Sequence, residues 1–168
     1  MLYLSSGSFY SKGDEAFISY GQLSNLETLS DYGFVAENNL CNSESVGINM
    51  MRREPFSATI LADGAVDAGA KATLRYYLAN EEELEATSSS GTRGPGLAAL
   101  ARPLSDRNEL DVHSFLASML AEAADEATAG AAAAGDDDGL VGAYLRERAK
   151  LLQRAIQRIV TKYPDLEY

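Results

Sequence analysis

The strongest constraint on the fold is a pair of long stripes in the C-terminal half, each apolar along one helical face and charged along the other. The first opens near Ser105 or Asp106 and runs to about Ala129, with Val112, Phe115, Met119 and Ala123 recurring at helical spacing. The second runs from near Leu140 to just before Pro164, where Leu145, Ala149, Leu152, Ile156, Ile159 and Tyr163 step by four and three. Two such stripes bury their apolar faces most economically against each other, so an antiparallel helical pair is expected. Between them, Ala129 to Gly139 (AGAAAAGDDDG) is low in complexity and reads as a mobile link. The second helix carries Arg146, Arg148, Lys150, Arg154, Arg158 and Lys162 against the single acid Glu147. The first carries Glu109, Asp111, Glu122, Asp125 and Glu126. Complementary faces within one domain account for this asymmetry; the other reading is a basic face kept for an external partner.

Upstream the pattern is shorter in range. Glu15 to Tyr20 (EAFISY) reads as a short strand introduced by the turn Lys12-Gly13-Asp14. Ser24 and Glu27 stand at capping-box spacing before Leu26 and Leu29, and Gly33 sits where a left-handed glycine stops a helix. Val46 to Leu61 reads as extended, with β-type runs broken by Pro55. Ala65 to Leu84 reads as helical, merging into the acidic run Glu81 to Glu83, and Thr87 to Gly96 as a loop. The fold class expected is α+β, a short β portion followed by a mostly α-helical region.

Composition narrows the functional classes. With 168 residues, 46% of them apolar, the chain can build one domain, or a small domain with a fragment of another. No window approaches the roughly 18 consecutive apolar residues of a membrane span, and Met1 to Leu4 has neither the basic leader nor the length of a signal peptide. A soluble, intracellular protein is expected. A formal charge of −11 disfavours non-specific nucleic-acid binding and leaves a protein as the natural partner. One cysteine, Cys41, allows no internal disulfide and reads as a small buried residue or a bystander. His113, the one histidine, reads as a helix-surface or packing residue, and Asp136 to Asp138 as a solvated charge run. No metal is expected.

The stretch from Lys12 to Val35, KGDEAFISYGQLSNLETLSDYGFV, carries the chemical signal. It combines G-D-E before a short strand, S-Y-G at the strand end, S-N opening a helix, and Y-G-F closing it. In that combination it resembles the closing motif of SET-domain protein-lysine methyltransferases, in the subgroup of the Rubisco large-subunit methyltransferase. The resemblance implies S-adenosyl-L-methionine as cofactor and a protein substrate bearing the target lysine. It places Tyr20 at the catalytic tyrosine, and Tyr32 and Phe34 at positions lining the lysine channel. It divides the chain into residues 1–36, the end of a SET domain, and residues 37–168, a helical substrate-binding domain with linkers near 87–96 and 129–139. Asn25 reads as a further capping residue, with no catalytic role needed for it, Ser24 or Glu27.

The chemistry gives these residue types a purpose. A free lysine has a pKa of about 10.4, and methyl transfer requires its neutral form approaching in line. A tyrosine hydroxyl at a strand end can orient the amine lone pair, and aromatic walls exclude water while their ring faces favour a cation. The sequence departs from the family in lacking the Asn-His pair and the glycine-containing cofactor segment that precede this motif, since His113 lies on its wrong side. A truncated or decayed copy with an incomplete cofactor pocket is therefore expected. The alternative function is a non-enzymatic helical protein-interaction module. The methyl acceptor, lysine against histidine included, stays open.

Overall fold

The computed structural model describes residues 11–15, 19, 21–87, 97–134, 139–164 and 166. Among these, a two-stranded antiparallel sheet is combined with six helices, so the class is α+β with a mostly helical body. In chain order the elements are α1 (Asn25–Tyr32), β1 (Ser43–Ile48), β2 (Phe56–Leu61), α2 (Ala68–Leu78), α3 (Glu81–Thr87), α4 (Leu97–Leu100), α5 (Asp106–Ala133) and α6 (Leu140–Lys162). The strand expected over Glu15 to Tyr20 and the acidic run Asp136 to Asp138 fall mainly or wholly outside the described residues.

Helices α5 and α6 form the antiparallel pair that their stripes demand. His113 near the start of α5 meets Tyr163 beyond the end of α6, ring centroids 4.3 Å apart, while Gly130 faces Leu145 and Ala134 faces Gly142 at the other end. The centre of the α5 stripe runs through Val112, Leu116, Leu120, Ala123 and Ala127, all buried. Phe115 and Met119, expected at the centre, sit at its margin and are only partly buried. On α6, Ala149, Leu152 and Ile159 are buried as expected, joined by Leu151 and Ala155. The low-complexity segment is not simply a link. Helix α5 continues through it to Ala133, because alanine has the highest helix propensity. Gly130 is accommodated there because a Cβ would come within 3.0 Å of Leu145.

The β hairpin closes one side of this pair. Ser43 lies opposite Leu61 and Ile48 opposite Phe56, and the period of two puts Glu44, Val46, Ile48, Ala58 and Ile60 on one buried face. The single helix expected over Ala65 to Leu84 is broken twice. Val66 bridges back to Ile60, and Asp67 then caps α2, one carboxylate oxygen accepting from Ala70 N–H at 2.8 Å and the other from Thr59 N–H at 2.8 Å. Ala79 is extended, which ends α2, and Asn80 with Glu83 forms a second reciprocal cap, each backbone N–H donating to the other side chain at 2.9 Å. The spacing of Asn80 and Glu83 was a legible signal for this restart.

Charge is neutralised differently from expectation. No ion pair among the described residues joins α5 to α6. Three basic residues of α6 reach β1 and the turn after β2 instead: Arg148 to Glu44 at 3.5 Å, Arg158 to Asp63 at 3.3 Å, and Arg154 to the carbonyl of Ala62. On α5, Glu109 is held by Arg75 of α2 in a buried fork, with Nε to Oε2 at 2.8 Å and Nη2 to Oε1 at 2.9 Å. Burial pushes the Glu109 carboxyl up, but this fork outweighs it and keeps the group below its usual range. Arg75 also donates to Leu100 O at 3.0 Å, which fastens α4. Glu83 is held down to about 2 by hydrogen bonds from Arg107 foremost, and it also accepts from Ser105, the N-cap of α5.

Two measurements test this packing. Leu152 is completely buried, so Leu152→Ala is expected to cost about 2 to 5 kcal/mol in urea-unfolding free energy, whereas Leu140→Ala, at an exposed position, stays within about 0.5 kcal/mol. Burial pushes the His113 imidazole down to about 4, with Glu109 opposing the shift and Lys162, Lys71 and Arg75 adding to it. The unfolded chain, titrating near 6.5, binds the extra proton first. Stability from this group is therefore complete above about pH 6.5 and is lost as pH falls through about 4. His113→Gln is expected to flatten the fall in unfolding midpoint between pH 7 and pH 5.

Candidate functional site

The Y-G-F segment is presented by a helix fixed at both ends. Ser24 N–H donates to Glu27 Oε2 at 2.7 Å and Glu27 N–H donates to Ser24 Oγ at 3.3 Å, completing the capping box that the spacing implied. Hydrogen bonds from the Ser24 backbone and hydroxyl hold the Glu27 carboxyl below its usual range. At the other end Gly33 takes φ 71°, a conformation that costs glycine little, and its N–H returns to Leu29 O at 3.2 Å. Phe34 N–H returns to Thr28 O at 3.3 Å. A reversal this tight places the residues on either side of the glycine next to each other. Tyr32 and Phe34 rings lie 6.4 Å apart and inclined at 45°, with Tyr32 48% and Phe34 38% exposed.

Asn25 organises the surroundings of this pair. It is completely buried. Its N–H donates to Asn42 Oδ1 at 2.9 Å, its Nδ2 donates to Ala36 O at 3.0 Å, and its Oδ1 accepts from Ala36 N–H at 3.3 Å and from Asn39 Nδ2 at 3.1 Å. One amide side chain thus serves the loop that follows Phe34 in both directions, a role beyond the capping function read from sequence. The loop is fastened to α6 where Asn38 N–H donates to Glu147 Oε2 at 3.1 Å, and Glu147 is also paired with Lys150 at 2.6 Å. Hydrogen bonds consequently cross position 36. Asn38 itself adopts a positive φ of 51°, a conformation that asparagine tolerates better than most residues.

A second polar group ties β1 to α6. Glu44 is buried, and Tyr144 donates to its Oε2 at 3.0 Å. Burial pushes the Glu44 carboxyl up, with Tyr144 and Arg148 opposing. The Tyr144 phenol is pushed up to about 12, by burial first and then by Glu44. No sequence spacing announced Asn25, Glu44 or Glu147 as partners of distant segments, since their contacts span from 11 to 109 positions along the chain.

The expected site residues are distributed as follows. Tyr20 lies outside the described residues. Tyr32 and Phe34 are brought together as a partly exposed aromatic pair. Cys41 is exposed rather than buried, its N–H donating to Asn39 Oδ1 at 2.9 Å. His113 is a packing residue against Tyr163. Among the described residues, no three or more His, Cys, Asp or Glu side chains gather as a metal site, and no helix is long and apolar enough to cross a membrane.

Asn25→Ala would leave backbone groups of residue 36 without their buried partner, at about 1 to 3 kcal/mol for each unsatisfied group. Thermal unfolding is expected to show a larger loss than for Ser24→Ala, where a missing cap costs about 1 kcal/mol. No known protein family matches the chain, and no curated protein sequence matches it.

Proposed function

We propose that this chain contributes the closing segment of the active site, and a helical substrate-binding region, to an S-adenosylmethionine-dependent protein-lysine N-methyltransferase of the SET type. The observation that carries the reading is the compound motif from Lys12 to Val35. Its local geometry is compatible with the role. A doubly capped helix holds Tyr32 and Phe34 side by side, each partly exposed, as a wall of a lysine channel requires. Such a wall excludes water from one side of an incoming amine and favours its cationic form through the ring faces. The Tyr20 hydroxyl would orient the amine lone pair once the proton has left. The cofactor is implied by the resemblance alone.

The test uses the chain joined to a complete SET cofactor-binding portion, a lysine-bearing protein substrate and mass spectrometry under single-turnover conditions. Tyr20→Phe removes one oxygen and keeps the ring. Turnover is expected to fall by about 10² to 10⁴, with cofactor affinity nearly unchanged. Phe34→Tyr is expected to change the number of methyl groups added rather than the cofactor affinity. Full activity in Tyr20→Phe would overturn the assignment of that tyrosine. If no SET cofactor portion restores methylation, the enzymatic reading fails and a protein-interaction module is left.

A further inference from the structure

A cavity of about 190 Å³ lies where α2, α5, α6 and the turn after β2 converge. Its apolar wall includes Val66, Leu116 and Ile159, and its charged lining consists of Lys71, Arg158 and Lys162 with no carboxylate among the lining residues. In a chain of net charge −11, three cations around one cavity call for an explanation. The nearest acids neutralise them only in part. Glu109 is committed to its fork with Arg75, and Asp63 meets Arg158 only through an exposed contact of 3.3 Å, both side chains about 60% exposed. Burial depresses Lys71, and Arg75 adds to the effect.

A second, independent observation concerns His113, which also lines the cavity. Its side chain is only 9% exposed, and Nδ1 is buried with no hydrogen-bond partner among the described residues. That atom has almost no accessible surface, so the ring meets the cavity through its other atoms. A ligand that satisfies the three cations brings more than one negative charge and several acceptor oxygens. A carboxylate brings one charge, and so does a sulfate ester. A phosphate monoester, with a second pKa of about 6, brings between one and two charges near neutral pH on three non-ester oxygens.

We propose that this cavity binds a phosphate monoester group, held by Lys71, Arg158 and Lys162 with the His113 ring at its wall. The group is carried either by a phosphorylated serine of a protein or by a small phosphorylated metabolite. His113 is the single histidine, so its ring ¹⁵N resonances in the labelled full chain report occupancy without ambiguity. Inorganic phosphate, a phosphoserine peptide, glycerol phosphate, sulfate and acetate are titrated separately at constant ionic strength. A saturable His113 shift is expected with the phosphates and with sulfate, and none with acetate. Lys162→Gln at an exposed position, and Lys71→Gln, are each expected to weaken phosphate binding about tenfold or more, while the exposed Arg102→Gln leaves it unchanged. Tighter binding of the phosphoserine peptide than of glycerol phosphate identifies a protein source, and the reverse order a metabolite. Equal response to all the anions, loss of affinity in Arg102→Gln matching that in Lys162→Gln, or no saturable response to any phosphate would overturn the proposal.

Discussion

The hairpin, α1 and α2 all lean on the apolar seam between α5 and α6. Leu116, Leu120, Leu152 and Ala155 lie at its centre, and the hairpin, α1 and α2 each pack against one member of the pair or both. None of these smaller pieces could hold its own fold. A two-stranded hairpin is at best marginal in water, and helices of 8 or 11 residues such as α1 and α2 fall below the length at which an isolated helix is stable. Their order is lent by the long pair.

Small residues set how closely the seam closes. Ala123, Ala124 and Ala127 on α5 and Gly142, Ala149 and Ala155 on α6 are all buried, and Gly142 meets Ala134 at one end of the pair, so the backbones approach where bulkier side chains would hold them apart. The same tightness appears at Gly64, with φ 80° and room for a Cβ only 3.0 Å from the backbone of Arg154 and Ala155. That contact brings the turn after β2 onto α6 and forms one edge of the basic cavity. Packing and the candidate anion site thus share a cause.

Polar groups do the fine positioning. Arg75 joins α2, α4 and α5 through one guanidinium, whose planar fork matches the Glu109 carboxylate and a carbonyl at once. Asn25 does comparable work for the loop after Tyr32 and Phe34. Both residues satisfy backbone groups that would otherwise be buried without partners, and in doing so they determine where neighbouring segments sit. The aromatic wall owes its exposed position to this network as much as to the capping of α1.

Local signals were legible in the sequence wherever a structure is closed by near neighbours. The α1 capping box, the Gly33 stop, the start of α5 at Ser105, the span of α6 and the two β-type runs all follow from spacings of a few residues, and so did the α5–α6 pairing, because two complementary stripes leave few alternatives. The restart at Asn80 is equally local but hidden beneath a continuous run of helix formers, and the alanine segment after Ala129 continues α5 by propensity even though its low complexity reads as a link. Tertiary structure alone decided the rest: which acid meets which base, that α6 neutralises itself against the hairpin rather than α5, and that Lys71, His113, Arg158 and Lys162 surround one cavity. Such pairings join positions dozens of residues apart, where a charged side chain finds many partners of the right sign in the sequence, and only the packed backbone selects the one within reach.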